Sequence, residues 1–165
     1  MEQSIKQQTA DLSYIQIASV VAQRSKCVKL QVGSVICLDD RIISTGYNGT
    51  PSGFKNCNEV FADDLTGHSD WSADFEIHAE MNALMFAAKI GIATNKSTLY
   101  CTHIPCHNCL KHIIQAGISR VVYKYDHYNV IYSEQTNQLI KTANLIIEKI
   151  IINDRSGNNV IETLL

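Results

Sequence analysis

With 165 residues, 45% of them hydrophobic and only two prolines, the chain is long enough to bury a core as one domain over residues 1–165, and no Pro- or Ser-rich linker divides it. A formal net charge of -2, from 14 Lys and Arg against 16 acids, leaves no basic footprint for a polymeric nucleic acid, and no apolar run approaches the roughly 18 residues of a membrane span. What remains is a small-molecule substrate in a cytoplasmic setting, where six cysteines read as reduced thiols or metal ligands and not as a disulfide framework.

Residues 11–24 put Leu12, Ile15, Ala18, Ser19 and Ala22 on one stripe, widened by Val20 and Val21, which predicts an amphipathic helix with Arg24 at its end. Residues 32–38 and 41–47, joined by Asp39-Asp40, read as two β-branched strands in a tight antiparallel hairpin. From Asn48 to about Asp74 no period persists, so a long loop with one short helical turn is expected, and loops of that length are functional or tied down. Strong helix formers fill 78–90 and stop at Gly91. Then follow a strand at 97–103, a helix at 106–116 stopped by Gly117, a strand at 119–125, a helix around 133–145 and a closing strand at 148–152. The strand–helix–strand units call for parallel pairing and the hairpin for antiparallel, giving an α/β fold with a five-stranded mixed sheet flanked by helices.

Chemistry gathers between Glu76 and Cys109. Cys106 and Cys109 are three apart, one turn along a helix, close enough to chelate one ion, and Pro105 suits the helix start. Alone, Cys-x-x-Cys also fits a redox pair or half of a zinc ribbon. His78 at the start of the preceding helix adds a third ligand, so two helix N-termini, which stabilise thiolates, can meet at one ion and leave a fourth position for water. Two thiolates cancel the formal charge of zinc and weaken its pull on that water, so a base becomes valuable. Glu80, in the first turn, is placed to move the proton to a ring nitrogen and then to a leaving amine. The order H-x-E…P-C-x-x-C is the known signature of zinc-dependent nucleobase deaminases. A zinc protein without catalysis and a thiol-redox protein are the alternatives, the first disfavoured by Glu80.

Six stretches carry a closer likeness: RSKC (24–27), VGSVI (32–36), RIISTGYNGTPSG (41–53), NCNE (56–59), HSDWSADFEIHAEMNAL (68–84) and TLYCTHIPCHNCLKHIIQAGISRVVY (98–123). On these the chain resembles the deoxycytidylate (dCMP) deaminases of cells and T-even-like phages. The resemblance implies a three-layer cytidine-deaminase-like fold, catalytic zinc on His78, Cys106 and Cys109, and Glu80 shuttling protons while hydroxide attacks carbon 4 of dCMP to release ammonia and dUMP, a thymidylate precursor. It also implies a second, structural zinc on Cys27, Cys57, His68 and Glu76, which would order the long loop. Asn48 occupies the place of the family's sugar-contacting asparagine, and Arg24, Lys124 and Tyr125 are candidates for the 5′-phosphate. Many enzymes of this type are hexamers activated by dCTP and inhibited by dTTP, which the resemblance extends to this chain. The corresponding effector candidates are Gly46, Tyr47, Asn48 and Gly49, with Lys89, and magnesium can accompany the effector nucleotide. The setting implied is the cytoplasm, the host's if the chain is phage-encoded. His103 and His127 are expected near the substrate, His107 and His112 on an ordinary polar face, and Cys37 and Cys101 as buried thiols. Deaminases of free cytidine, cytosine, dCTP or tRNA adenosine are the rival readings within the superfamily.

Overall fold

The computed structural model describes residues 5–127, 131–152 and 159–164. Helix α1 (Ile5–Ala22) leads into the hairpin β1 (Gly33–Leu38) and β2 (Arg41–Tyr47), then two short helices, α2 (Cys57–Val60) and α3 (His68–Phe75). Alternation follows through α4 (Ala79–Lys89), β3 (Thr98–His103), α5 (His107–Gln115), β4 (Arg120–Tyr125), α6 (Glu134–Thr142) and β5 (Ile146–Ile152), and β6 (Asn159–Thr163) closes the described chain. The strands form one sheet in the order β2-β1-β3-β4-β5-β6. β3, β4 and β5 run parallel; β1 is antiparallel to β2 and β3, and β6 to β5, so the sheet is mixed as expected.

Three expectations need correction. Among the described residues the sheet has six strands and not five. The sequence pattern ends its last strand at Ile152, whereas β6 pairs with β5 from Glu148↔Thr163 to Ile152↔Asn159 and covers backbone groups that would otherwise form an open edge. The loop after β2 holds two helices instead of one turn. HSDWSADF is rich in Ser and Asp, poor helix formers, and α3 is held by its aromatic contacts: Trp71 packs edge-on to Phe61 outside the helix and stacks one turn along on Phe75, the helix's own last residue. Helix α1 also starts six residues ahead of the expected Asp11, and Val20, expected on its buried stripe, is exposed.

The layering follows from strand alternation. Val35, Cys37, Tyr100, Val122 and Ile150 point to one face, where Ile15 and Ala18 of α1 cover them. Ile36, Leu99, Cys101, Val121, Tyr123 and Ile147 point to the other, packing with Ala83 and Leu84 of α4, Cys109, Leu110 and Ile113 of α5 and Ile140 of α6. The hairpin turns through Asp39 and Asp40, both at positive φ (50° and 60°), the backbone a two-residue hairpin loop requires. Gly46 lets β2 close on α4: a Cβ there would lie 2.2 Å from the Ala79 carbonyl oxygen and 2.4 Å from the Ala83 nitrogen. That contact fixes the start of α4, where the chemistry lies.

Candidate active site and metal centre

Helices α4 and α5 both begin at a candidate ligand. His78 is the N-cap of α4 and Cys106 the N-cap of α5, and neither side chain makes a capping hydrogen bond, so both remain available. His78 Nδ1 lies 3.5 Å from Cys106 Sγ and 3.4 Å from Cys109 Sγ. A tetrahedral zinc with Zn–S near 2.3 Å and Zn–N near 2.0–2.1 Å spaces its sulfur and nitrogen ligands by about 3.5 Å, so the donor set and its spacing fit that ion. The thiols are already biased for it. The Cys106 sulfur, which takes a hydrogen bond from Cys109 and faces His78, falls to about 3, while His78, bonded to Cys106, rises to about 9. Cys109 goes up because it keeps the proton the two sulfurs share. Metal binding needs thiolates, and one is prepared here.

Glu80, in the first turn of α4, is buried at 4% exposure. Burial raises its carboxyl above the ordinary range, opposed by backbone hydrogen bonding, by the charge of His78 and by a hydrogen bond with Cys109. A carboxyl poised this way is suited to proton transfer. Beneath it, Cys101 is fully buried and its thiol is pushed well up, as expected of a packing residue, and burial likewise lifts Cys37 to about 12.

The second expected cluster also assembles. His68 Nε2 lies 3.5 Å from Cys27 Sγ and 3.1 Å from Cys57 Sγ, all three residues buried. Glu76 stands apart from that tight group, but its Oε1 is buried without a hydrogen-bond partner while Oε2 accepts from Ser72 Oγ at 2.6 Å. Its charge, after burial and the neighbouring Cys27, helps raise the Cys57 thiol to about 11. His68 Nε2 and the two thiols it faces are a donor set that could hold an ion, and Glu76 Oε1 is a buried acceptor without a partner.

Both clusters border one cavity of about 520 Å³, the size of a small-molecule site, lined also by Lys29, Leu30, Val32, Asn48, Ser69, His103, Asp126 and His127. Asn48 lines it while working as a strut: its Oδ1 accepts from Val32 N at 2.8 Å and its Nδ2 donates to Leu30 O at 2.9 Å. His103 and His127 border the cavity as expected, and burial followed by the charge of His127 lowers His103. Arg24, Lys124 and Tyr125 are not among the lining residues. The Arg24 guanidinium sits over the Tyr47 ring at 5.2 Å, and Lys124 Nζ over the Tyr125 ring at 4.7 Å. His107 and His112 bond to Asn108 on the outer face of α5. Sequence reasoning missed Lys29 and Ser69, which lie in segments without periodicity; their one signal is adjacency to Cys27 and His68.

The family profile described as "Cytidine and deoxycytidylate deaminase zinc-binding region" matches residues 8–125. The chain belongs to the cytidine and deoxycytidylate deaminase family. The "Deoxycytidylate deaminase" of enterobacteria phage T2 is 38% identical over 143 residues, 66% of this chain and 76% of that protein. That of Schizosaccharomyces pombe is 37% identical over 145 residues, 86% of this chain and 44% of the larger yeast protein. Among solved structures, a dCMP deaminase from the cyanophage S-TIM5 in complex with dCMP and dUMP has a TM-score of 0.70 at 32% identity, covering 90% of this chain and 98% of that one. The stretch matched by this zinc-binding profile contains His78, Cys106 and Cys109, whose ligand atoms lie together here. No helix among the described residues is long and apolar enough to cross a membrane.

Proposed function

We propose that the chain catalyses the zinc-dependent hydrolytic deamination of dCMP to dUMP and ammonia, supplying dUMP for thymidylate synthesis, and that residues 1–165 act as one deaminase domain. The observation that carries this is a buried carboxylate, Glu80, beside three ligand atoms at zinc spacing on the wall of a nucleotide-sized cavity. Relatives named deoxycytidylate deaminase support the choice of dCMP. His78, Cys106 and Cys109 would hold the catalytic zinc, which when bound supplies Lewis acidity toward a water oxygen. Glu80 takes a proton from that water and passes it to ring nitrogen 3 as the oxygen adds to carbon 4. It then takes the remaining proton from the oxygen now on carbon 4 and gives it to the amino group, so that the carbon–nitrogen bond breaks, ammonia leaves and the carbon 4 carbonyl of dUMP forms. The low-dielectric pocket around Glu80 and the seating of α4 on Gly46 keep that carboxylate aligned.

Cys27, Cys57, His68 and Glu76 are assigned to a structural zinc, supported by the buried donors and by orphaned Glu76 Oε1. Asn48, whose amide keeps one N–H and one lone pair beyond its two backbone bonds, is assigned to the sugar. A homohexamer built on the exposed Met85 and Phe86 of α4, Ile90 just past its end and Ile42 of edge strand β2 is part of the same reading, as are activation by dCTP with magnesium and inhibition by dTTP. Gly46, Tyr47, Asn48 and Gly49, with Lys89, are the assigned effector contacts. The cytoplasm is the assigned setting. Ammonia release from dCMP, deoxycytidine, cytidine and dCTP, with zinc counted per chain, tests the proposal. Preferential turnover of dCMP supports it, and faster turnover of nucleosides or of dCTP overturns it.

A further inference from the structure

Three buried side-chain atoms among the described residues have no hydrogen-bond partner. Two of them, Glu76 Oε1 and His68 Nδ1, belong to residues assigned to the second zinc. The third is Ser34 Oγ, in β1 and fully buried. A hydroxyl sealed from water without a bond costs stability that a methyl group would not, so the fold alone gives no reason for a serine here.

Its place in the sheet supplies one. Ser34 is paired with Gly46 of β2 on one side and with Cys101 of β3 on the other, so the three positions form a row across the sheet. Two residues along their strands, Ile36 and Leu99 pack on the α4 face, and by alternation the row faces the same way. Both ends of the row lie under the first turn of α4. A Cβ at Gly46 would come within 2.2 Å of the Ala79 carbonyl oxygen, and burial and then the charge of Glu80 push up the Cys101 thiol. Ser34 sits between them, with cross-strand neighbours spaced by about 5 Å. The nearby polar side chains of this face are already engaged: Ser44 Oγ donates to Ala83 O at 2.6 Å, and the Tyr123 hydroxyl donates to Asp126 Oδ1 at 3.2 Å.

Glu80 needs a particular kind of neighbour. In the proposed reaction it gains and loses a proton twice in each turnover. A carboxylate only accepts hydrogen bonds, whereas the acid form also donates one, so a fixed donor opposes one half of the cycle and a fixed acceptor the other. A serine hydroxyl serves both halves by rotating about one bond. We infer that Ser34 is a positioning residue for Glu80, its hydroxyl donating to the carboxylate and accepting from the acid, so that Glu80 keeps its aim while its charge changes. This deepens the proposed function and rests on it. It also gives the orphaned hydroxyl its reason, since a group without a structural partner is free to follow the carboxyl.

The test compares the wild type with Ser34→Ala and Ser34→Cys by steady-state kinetics on dCMP, zinc content per chain and urea unfolding. Loss of one hydrogen bond to a charged group predicts that Ser34→Ala lowers kcat ~10- to 100-fold. KM should stay within about twofold, because Ser34 does not line the cavity. Zinc content should equal that of the wild type, as no ligand atom changes. The urea midpoint should shift upward, because an unsatisfied buried hydroxyl has been removed. A slower enzyme that is also more stable is a result that a purely structural role does not give. Cysteine, close in size and a weak donor and acceptor, should recover part of kcat. An unchanged kcat in Ser34→Ala overturns the assignment, and so does a lowered urea midpoint, which would give the hydroxyl to the fold; in both cases wild-type turnover of dCMP stands. A wild type that does not deaminate dCMP overturns the functional reading itself.

Discussion

Glu80 and His78 are two positions apart, yet one is buried and the other open to solvent, because the helix begins between them. As the N-cap, His78 has an extended backbone (φ -64°, ψ 153°) that lets its ring turn toward the cysteines of α5, while Glu80 is already helical and points inward. The proposed separation of metal ligand from proton carrier is thus a property of one helix start. It yields a clean expectation for Glu80→Gln. The amide is nearly isosteric and none of the three ligand atoms changes, so zinc content should equal that of the wild type by elemental analysis. Turnover of dCMP should fall by at least the ~10²–10⁴-fold contribution of general acid–base catalysis. Substantial residual activity in a zinc-replete variant would remove Glu80 from the mechanism.

At the scale of elements, the grouping of His78, Cys106 and Cys109 was legible in the sequence because its spacing is set by local helix geometry: Cys-x-x-Cys spans one turn, and His-x-Glu straddles a helix start. The cluster of Cys27, Cys57 and His68 was legible only through resemblance, since its members come from three separate segments whose meeting depends on tertiary packing. The same reason hid α3, whose order comes from aromatic contacts, and β6, whose partner is a strand and not a pattern. Lys29 and Ser69 fall in the same class. The stretch from Asn48 to Ile77 is tied at its ends by paired bonds between Gly49 and Ile77, Gly49 N to Ile77 O at 3.1 Å and Ile77 N to Gly49 O at 2.9 Å, and in its middle by Cys57 and His68. Closing such a loop restricts the unfolded chain, so the clip should stabilise it entropically. Cys57→Ser is therefore expected to lower zinc from two per chain to one. Affinity at the second cluster should fall by more than the ~10–100-fold seen when a ligand merely loses its hydrogen-bond partner. Limited proteolysis should then cut the 48–77 stretch first. Retention of two zincs with an uncut loop would contradict the clip.

Across the whole molecule, the sheet is covered by α4, α5 and α6 on one face and by α1 on the other, and the α1 face contains a buried charge. Asp11 is fully buried in the first half of α1. It receives Arg120 Nη1 at 2.8 Å and Nη2 at 2.7 Å, the Tyr100 hydroxyl at 2.7 Å and Gln7 Nε2 at 2.9 Å. Arg120 in turn donates from Nε to Glu148 at 2.7 Å, so one network links α1 to β3, β4 and β5. Burial alone would lower the Arg120 guanidinium, and the two carboxylates outweigh it and hold it up. Such a network is costly to form and more costly to break, because a lone buried charge has no compensation. Asp11→Ala leaves Arg120 one partner, Glu148, so the loss should fall near the lower end of the ~3–5 kcal/mol typical of removing one member of a buried pair. Urea unfolding should report this as a lower midpoint with an unchanged slope, the mark of a less stable but equally compact fold. Because the network lies on the face of the sheet opposite α4 and α5, zinc content and KM for dCMP should stay at wild-type values well below the unfolding transition. A loss under ~1 kcal/mol, the range of an exposed ion pair, would mean that α1 is held by its apolar stripe alone.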